Sequence, residues 1–276
     1  MNKVEFGKLE DLEYSVNEAY KTLRTNLSFC GNDVKTILLT SCTPNEGKST
    51  VALRLTQALA EDEKKVILVD ADLRKSVFIG RYGITSEHQI KGLSHYLSGQ
   101  NELDDVICET GIENLNIIFA GPTTPNPTEL IGNSYFEEMI KTLREQYDYI
   151  IIDAPPLGSV IDAAIITKVC DGTILVVENN VISRRFAQDV KKQIEITGCK
   201  ILGVIINKYD IYRKGKYKSY YSGYYKRKKY KGYGNNARPV NDGRCCDDCN
   251  FKIVIPKRIE VSISMKARKK SDMKGW

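Results

Sequence analysis

The 276-residue sequence contains no long apolar segment. Its longest apolar runs, such as residues 150–152 and 201–206, are far shorter than the roughly 20 residues of a membrane-spanning helix. Residues 1–13 have mixed charge and lack the apolar core of a secretory signal peptide. We therefore expect a cytoplasmic protein rather than a secreted or membrane-spanning one.

The sequence also lacks a disulfide framework, because its eight cysteines show no regular spacing. Four isolated cysteines are expected to be small buried side chains of a reduced protein: Cys30, Cys108, Cys170 and Cys199. Cys245, Cys246 and Cys249 could bind zinc with a fourth ligand, or could be thiols of a polar tail. The two histidines, His88 and His95, lie far from them in sequence, so the zinc interpretation has little support.

Charge is divided unevenly along the chain. Residues 209–276 carry 19 Lys and Arg against 6 Asp and Glu, which leaves 22 against 29 in residues 1–208. An acidic body of net charge −7 therefore precedes a basic tail of net charge +13. Such a tail could contact nucleic acid, anionic lipid or an acidic protein surface, or could fold back on the acidic body.

Apolar runs alternate with segments of helical periodicity up to residue 208. Strand-like runs occupy residues 34–40, 65–69, 115–119, 149–152, 172–177 and 201–206. Helical patterns occupy residues 15–28, 49–61, 129–146 and 184–198. Strands that are apolar on both faces and alternate with helices predict an α/β fold, with a mostly parallel sheet and helices on both faces.

The pattern changes at residue 209. Residues 209–233 contain nine tyrosines among Lys, Arg, Gly and Ser, and Ile211 is their only aliphatic side chain. Because such a segment cannot form a core, we predict a flexible tail. The predicted organisation is a catalytic domain over residues 1–208, a tyrosine-rich tail over 209–236, and a basic, cysteine-containing extension of unassigned role over 237–276.

Residues 41–50, Ser-Cys-Thr-Pro-Asn-Glu-Gly-Lys-Ser-Thr, follow a predicted strand and open a predicted helix. This context is that of a P-loop, whose backbone N–H groups and helix N-terminus bind phosphate. Lys48 would reach the β- and γ-phosphates, and the Ser49 hydroxyl would bind Mg²⁺. Cys42 replaces the usual first glycine. The sequence predicts a P-loop NTPase-type fold that binds a nucleoside triphosphate.

Two other strands end in carboxylates. Residues 66–69 lead into Asp70 and Asp72, and residues 149–152 lead into Asp153. Ligands of parallel sheets bind at the carboxyl ends of the strands. Asp153 is placed like a Walker B acid that holds the metal directly or through water, which leaves Asp70 or Asp72 to orient or deprotonate a nucleophile.

Together these segments resemble the bacterial tyrosine kinases of capsule and exopolysaccharide operons, in the form whose kinase is separate from its membrane adaptor. The resemblance covers roughly residues 14–236. It rests on residues 43–50, 67–74, 121–130 and 151–156 and on the tyrosine cluster.

The resemblance implies ATP-dependent autophosphorylation on tyrosine, in trans within a ring of subunits, and regulation of capsule or exopolysaccharide synthesis. In this scheme Lys48 and Thr50 hold phosphates, Asp70 activates the tyrosine hydroxyl, and Asp72 and Asp153 order Mg²⁺ with Ser49. The catalytic set is Lys48, Asp70, Asp72 and Asp153. The nucleotide-binding set is Pro44, Asn45, Glu46, Gly47, Lys48, Ser49, Thr50 and Asn207.

The predicted acceptors are seven tyrosines of the tail: Tyr217, Tyr220, Tyr221, Tyr224, Tyr225, Tyr230 and Tyr233. Implied partners are a transmembrane adaptor that recruits the chain to the inner face of the membrane, further copies of the chain, and a tyrosine phosphatase. No nucleic-acid partner is expected. Glu18, Lys21 and Arg24 resemble an E-x-x-R-x-x-R oligomerisation motif with lysine at its middle position, although a solvated helix face with an ion pair would also explain them.

A partition or septum-positioning ATPase of the same fold class, with a basic tail that binds DNA or membrane, is the alternative function. Those ATPases carry a signature lysine five residues before the phosphate-binding lysine, and this chain has Thr43 there. A DNA- or membrane-binding tail also has little use for nine tyrosines, unless they stack on bases.

Asn207 opens the sequence Asn-Lys-Tyr-Asp after the last predicted strand. In this position it could hydrogen-bond the nucleotide base. A turn at the end of the strand explains the four residues about as well.

Overall fold

The computed structural model describes residues 1–209, 235–236 and 244–245. The chain divides into two units, Met1–Tyr209 and Asp210–Trp276. The strands of the first unit are β1 (Asn2–Phe6), β2 (Thr36–Ser41), β3 (Val66–Asp70), β4 (Ile84–Thr85), β5 (Ile107–Thr110), β6 (Leu115–Ile118), β7 (Tyr149–Asp153), β8 (Gly172–Glu178) and β9 (Ile201–Asn207). In the second unit, β10 (Asn235–Asn236) pairs antiparallel with β11 (Arg244–Cys245).

Nine α-helices occur within residues 1–209: α1 (Tyr14–Ser28), α2 (Lys48–Ala60), α3 (Phe78–Tyr82), α4 (Leu93–Leu97), α5 (Leu103–Val106), α6 (Pro127–Ile131), α7 (Ser134–Gln146), α8 (Asp162–Ile166) and α9 (Arg184–Ile196). A 3₁₀ turn covers Thr167–Val169. Among the described residues, no helix combines the length and the apolar character needed to cross a bilayer.

The nine strands of the first unit form one sheet in the order β4-β1-β5-β6-β3-β7-β2-β8-β9. In this spatial order, every pairing from β6 through β3, β7, β2 and β8 to β9 is parallel. In contrast, β4 pairs antiparallel with β1, and β5 pairs antiparallel with β6. The predicted α/β fold with a mostly parallel sheet is confirmed.

Alternate side chains of the central strands enter two separate hydrophobic clusters. Leu38 of β2 and Ile150 of β7 belong to one cluster, together with Met139 of α7. Ile37 and Ile151, their sequence neighbours, belong to the other, which includes residues of α1 and α2. Both faces of the sheet are therefore covered, and this explains why the strands are apolar at almost every position.

Strands β4 and β5 and the short helices α3, α4, α5 and α8 were not predicted from the sequence. The structure also differs from the prediction in three other places. Residues 129–146 form two helices, because Asn133 caps α7 by accepting the Phe136 N–H. The N-terminal segment contributes β1, whose Val4 side chain is buried at the sheet. Cys108 is buried as expected, but Cys30, Cys170 and Cys199 are only half-buried.

Residues 210–234 of the predicted tail, which include all seven predicted acceptor tyrosines, lie outside the described residues, as do Cys246 and Cys249.

Candidate active site

The phosphate-binding loop connects β2 to α2 as predicted. Helix α2 begins at Lys48, and Gly47 before it has a φ of 88°, a conformation that residues with a Cβ adopt only at a cost. The loop therefore needs glycine at position 47. Helix N-terminal N–H groups and the helix dipole favour an anion here.

Cys42 fills the position of the usual first glycine without a positive φ. The loop packs tightly on the segment after β7: a Cβ at Gly158 would lie 2.2 Å from the Cys42 carbonyl oxygen, and Leu157 N–H donates to the Ser41 carbonyl at 2.9 Å. Burial, with a contribution from Glu46, raises the pKa of the Cys42 thiol to about 12. Cys42 is therefore a protonated packing residue at neutral pH.

Lys48, Asp70 and Asp153 meet at the carboxyl ends of adjacent strands. Asp70 and Asp153 are paired residues of β3 and β7. The Lys48 ammonium donates to Asp153 Oδ1 at 2.6 Å and lies 3.3 Å from the Ser49 hydroxyl. Strand pairing thus brings together the three side chains that the sequence marked separately.

Both paired aspartates are fully buried, and both have raised pKa values. Burial, followed by repulsion from Asp153, raises the pKa of Asp70 to about 7, although hydrogen bonds from the Ser76 hydroxyl and Asp72 N–H oppose the shift. Burial also raises the pKa of Asp153, while Lys48 favours its charged form. The site thus holds two buried acids whose pKa values are both raised, beside the Lys48 ammonium.

The loop after β3 is fixed by an ion pair that the sequence did not reveal. The Arg74 guanidinium donates to both oxygens of Asp162, at 2.6 and 3.0 Å, and to the Thr128 hydroxyl at 2.8 Å. Thr128 in turn donates to Asp162 at 2.7 Å, and hydrogen bonding to Arg74 lowers the pKa of that carboxyl despite burial. The starts of α6 and α8 therefore hold the segment that carries Asp72.

The Glu46 side chain points into the loop. Its carboxylate accepts from Thr43 N–H, from the Thr43 hydroxyl at 2.9 Å, and from Glu178 N–H at 2.7 Å. Pro44 and Asn45 are exposed at the tip of the loop. Thr43, at the position of the ATPase signature lysine, is thus an internal brace of the loop.

Ser49 and Thr50 occupy the first turn of α2 and are half-buried. The Thr50 hydroxyl lies 3.4 Å from both the Arg81 guanidinium and the Tyr82 hydroxyl. Asn207 also reaches the loop: its amide nitrogen donates to the Glu46 carbonyl at 2.8 Å.

The donor set fits a magnesium ion shared with phosphate. Asp153 Oδ2 is buried without a hydrogen-bond partner among the described residues, so one carboxylate oxygen is available for a cation. Within the same residues no three His, Cys, Asp or Glu side chains form a metal cage. Mg²⁺ typically takes one or two protein carboxylates and completes its shell with water and substrate phosphates.

The three oligomerisation candidates lie on α1. Lys21 pairs with Glu18 at 3.1 Å on a partly exposed face, as the ion-pair interpretation expects. Arg24 donates to the Ala58 carbonyl near the end of α2 at 2.8 Å and pairs with Asp62 at 3.3 Å. Arg24 therefore has a role within the subunit in addition to any role between subunits.

Similarity to known proteins agrees with this geometry. Residues 34–198 match the family model described as an AAA domain. The chain is 44% identical over 207 residues to the tyrosine-protein kinase CpsD of Streptococcus agalactiae serotype III, covering 73% of this chain and 88% of the relative. It is 34% identical over 193 residues to the tyrosine-protein kinase YwqD of Bacillus subtilis, covering 69% and 80%.

Among the solved structures compared, the tyrosine kinase domain superposes better than the septum-positioning ATPase. The chimerical protein CapA2B2 superposes with a TM-score of 0.68 at 31% identity, over 76% of this chain and 94% of that one. The kinase domain of the Escherichia coli tyrosine kinase ETK gives 0.66 at 29% identity, over 71% and 78%. The septum site-determining protein MinD of Pyrococcus horikoshii gives 0.55 at 30% identity, over 63% and 70%. The partition or septum-positioning ATPase is therefore the less supported function.

Proposed function

The chain belongs to the bacterial tyrosine-protein kinases of the capsule and exopolysaccharide family, and from this premise we propose that Lys48, Asp70, Asp72 and Asp153 transfer the γ-phosphate of ATP to tyrosine. The observation that carries the proposal is the convergence of Lys48 with the paired, buried Asp70 and Asp153 at the head of α2.

Each side chain has a separate task in this mechanism. The loop N–H groups and the Lys48 ammonium bind the phosphates and neutralise charge as the γ-phosphoryl group moves. Asp70 accepts the proton of the tyrosine hydroxyl. As the tyrosine oxygen forms its bond to the γ-phosphorus, the bond between that phosphorus and the oxygen of the leaving ADP breaks. Ser76 and the Asp72 N–H orient the Asp70 carboxylate for this task.

Ser49, Asp72 and Asp153 would hold Mg²⁺. When bound, the ion would neutralise part of the negative charge of the ATP phosphates. Asp153 would contribute its buried oxygen, Oδ2, since Oδ1 already contacts Lys48.

Several partners belong to the proposal. The acceptor is the tyrosine-rich tail, in which Tyr217, Tyr220, Tyr221, Tyr224, Tyr225, Tyr230 and Tyr233 would be modified in trans by a neighbouring copy. A transmembrane adaptor would recruit the chain to the inner face of the membrane and activate it, and a tyrosine phosphatase would reset the tail. The output would be control of capsule or exopolysaccharide synthesis.

Transfer of labelled phosphate from ATP tests the proposal. The wild-type chain, Lys48→Met, and a variant with the seven tail tyrosines changed to Phe would be incubated with MgATP and an adaptor tail, and acid-stable phosphoamino acids would be separated. Lys64→Met, an exposed lysine between α2 and β3, is the matched control. We expect label on tyrosine in the wild type and in the control, and almost none in the other two variants.

Release of inorganic phosphate without label on tyrosine would instead favour an ATPase. Label on serine or threonine alone would contradict the tyrosine kinase mechanism. Label that persists in the tail variant would place the acceptor elsewhere in the chain.

A further inference from the structure

Strand β9 ends against the phosphate-binding loop. Asn207, its last residue, donates its amide to the Glu46 carbonyl at 2.8 Å. The same amide nitrogen would lie 2.1 Å from a Cβ at Gly47, so it sits directly over that glycine. Asn179 N–H donates to the Asn207 carbonyl at 3.0 Å and ties the end of β9 to the end of β8.

Lys208 extends this contact to the tip of the loop. Its ammonium donates to the Asn45 carbonyl at 2.7 Å and pairs with the Glu178 carboxylate at 2.8 Å. Glu178 is the last residue of β8, and its N–H binds the Glu46 carboxylate. Loop residue 45 is thus contacted by Lys208, residue 46 by Asn207 and Glu178, and residue 47 by Asn207.

The contacted loop residues have an unusual backbone. Asn45 has a φ of 67° and Gly47 a φ of 88°, and Lys208 itself has a φ of 55°. Non-glycine residues keep such conformations only where the surroundings hold them. A loop held in this way directs its N–H groups at a phosphate before the ligand arrives, which reduces the ordering needed on binding.

We propose that Lys208 is a positioning residue of the nucleotide site, which holds the Asn45 carbonyl and thereby keeps the phosphate-binding loop in its binding conformation. The inference rests on the nucleotide site proposed above. It assigns to the second residue of the Asn-Lys-Tyr-Asp segment a task in phosphate binding, and it requires no contact between Lys208 and the nucleotide.

The exposure of Lys208 argues against a role in stabilising the fold as a whole. Its side chain is 47% exposed and that of Glu178 is 23% exposed. An exposed ion pair contributes little to folding, so removal of the ammonium should leave the fold intact. Its effect should therefore appear in nucleotide affinity.

The experiment measures the dissociation constant of a fluorescent ADP analogue with Mg²⁺ on the full chain, together with the melting temperature and with kcat for tyrosine phosphorylation. The variants are Lys208→Met, which removes the ammonium, and Lys208→Arg, which keeps the charge. Lys200→Met, an exposed lysine at the opposite end of β9, is the matched control, and Lys48→Met is a variant expected to lose binding.

We expect Lys208→Met to weaken ADP binding about tenfold, the size of one lost charge-assisted hydrogen bond. Lys208→Arg should recover most of this loss, and Lys200→Met should match the wild type. At saturating ATP, kcat of Lys208→Met should stay within about twofold of the wild type, since Asp70 and Asp153 are untouched.

Equal ADP affinity for Lys208→Met and the wild type would overturn the inference while leaving the proposed function intact. A loss of affinity that appears only where Lys208→Met is partly unfolded would overturn it as well. A wild-type chain that binds no ADP would overturn the proposed site and the inference together.

Discussion

At the scale of single residues, the candidate active site carries more negative than positive charge. Asp70 and Asp153 face one ammonium, that of Lys48. Burial makes this imbalance costly, as the raised pKa values of Asp70 and Asp153 indicate. A divalent cation that arrives with the nucleotide would relieve the repulsion, so metal and nucleotide should bind cooperatively.

Asp70→Asn separates proton transfer from nucleotide binding. The amide keeps the shape of the side chain but cannot accept the tyrosine proton, so we expect kcat to fall by about 10²–10⁴-fold with little change in ADP affinity. Tyrosine phosphorylation and ADP titration would be measured on the same preparation. Asp189→Asn, at an exposed position of α9, is the control, and an active Asp70→Asn chain would rule out Asp70 as the base.

Gly47→Ala tests how tightly the end of β9 closes on the loop. An alanine at position 47 would have to adopt a φ of 88°, which residues with a Cβ disfavour. Its Cβ would also lie 2.1 Å from the Asn207 amide nitrogen. Gly198→Ala has a similar φ of 78° but nothing within 4 Å, so it measures the backbone cost alone. We expect both variants to lose about 1–2 kcal/mol of unfolding free energy from the backbone.

Only Gly47→Ala should also lose nucleotide binding. Urea unfolding and ADP titration of the two variants make the comparison. Equal ADP affinity in both would mean that Asn207 moves aside easily.

Sequence patterns could identify residues whose chemistry is bound to a local motif. Lys48 and the aspartates at strand ends belong to this class. Lys208 does not, because its partner Asn45 is 163 positions away and the contact depends on the pairing of β8 with β9. The inward orientation of Glu46 is hidden from the sequence for the same reason.

At the scale of secondary structure elements, Asp171 fixes the start of β2. Its carboxylate accepts from Lys35 N–H at 2.9 Å, Thr36 N–H at 2.8 Å and the Arg144 guanidinium at 2.6 Å. These hydrogen bonds lower the pKa of Asp171 from its ordinary 3.8, although burial opposes the shift. The strand that leads into the phosphate-binding loop is thus anchored from α7 and from the segment before β8.

Asp171→Asn should remove the pH-dependent contribution of the Asp171 carboxylate to the free energy of unfolding. A lowered folded-state pKa stabilises the fold above pH 3.8, and the benefit disappears as pH falls through the lower folded-state value. We expect the variant to lose about 1–2 kcal/mol at neutral pH and to approach the wild type below pH 3.8. Urea unfolding followed by circular dichroism across this range checks it, and a difference that stays constant down to pH 3 would contradict it.

Substitutions in helix α1 can distinguish an effect on subunit assembly from an effect on the stability of the fold. Lys21→Ala removes only a partly exposed pair and should change unfolding free energy by less than about 0.5 kcal/mol. Arg24→Ala also loses the bond to Ala58 and should cost about 1 kcal/mol. Light scattering should show smaller assemblies for both, and unchanged mass in both would remove α1 from the proposed interface.

The sequence predicted those strands whose apolar residues reflect burial on both faces of the sheet. Five of the six predicted strands, β2, β3, β6, β7 and β8, are mostly apolar because helices cover both faces of the sheet there. The sixth, the edge strand β9, is apolar although Val204 and Ile206 are exposed. β1 was missed because only its Val4 is buried, so its residues show no apolar run. The break between α6 and α7 depends on the Asn133 cap, a local hydrogen bond within an otherwise continuous helical pattern.

At the scale of the whole molecule, the opposite charges of body and tail suggest how phosphorylation could act. Residues 209–233 hold nine Lys and Arg, and each phosphotyrosine adds about −1.5 to −2 charges. Five or six phosphates, by this count, would reverse the sign of the segment. A tail that is attracted to an acidic body would then be repelled by it.

We therefore expect phosphorylation to loosen the proposed ring. The molar mass in solution should be lower for the phosphorylated chain than for a variant with the seven tail tyrosines changed to Phe, and added salt should reduce the difference. Light scattering at two ionic strengths makes the measurement. Equal mass for the two proteins at low salt would exclude this electrostatic release.

The contact of β9 with the phosphate-binding loop also limits how this catalytic unit can be recombined with other sequences. A junction placed within β9 would remove Asn207 and Lys208 while leaving the central strands of the sheet in place. Gene fusions and truncations that preserve the loop contacts must therefore join beyond residue 208. A junction beyond residue 208 leaves both contacts in place, whatever sequence follows it.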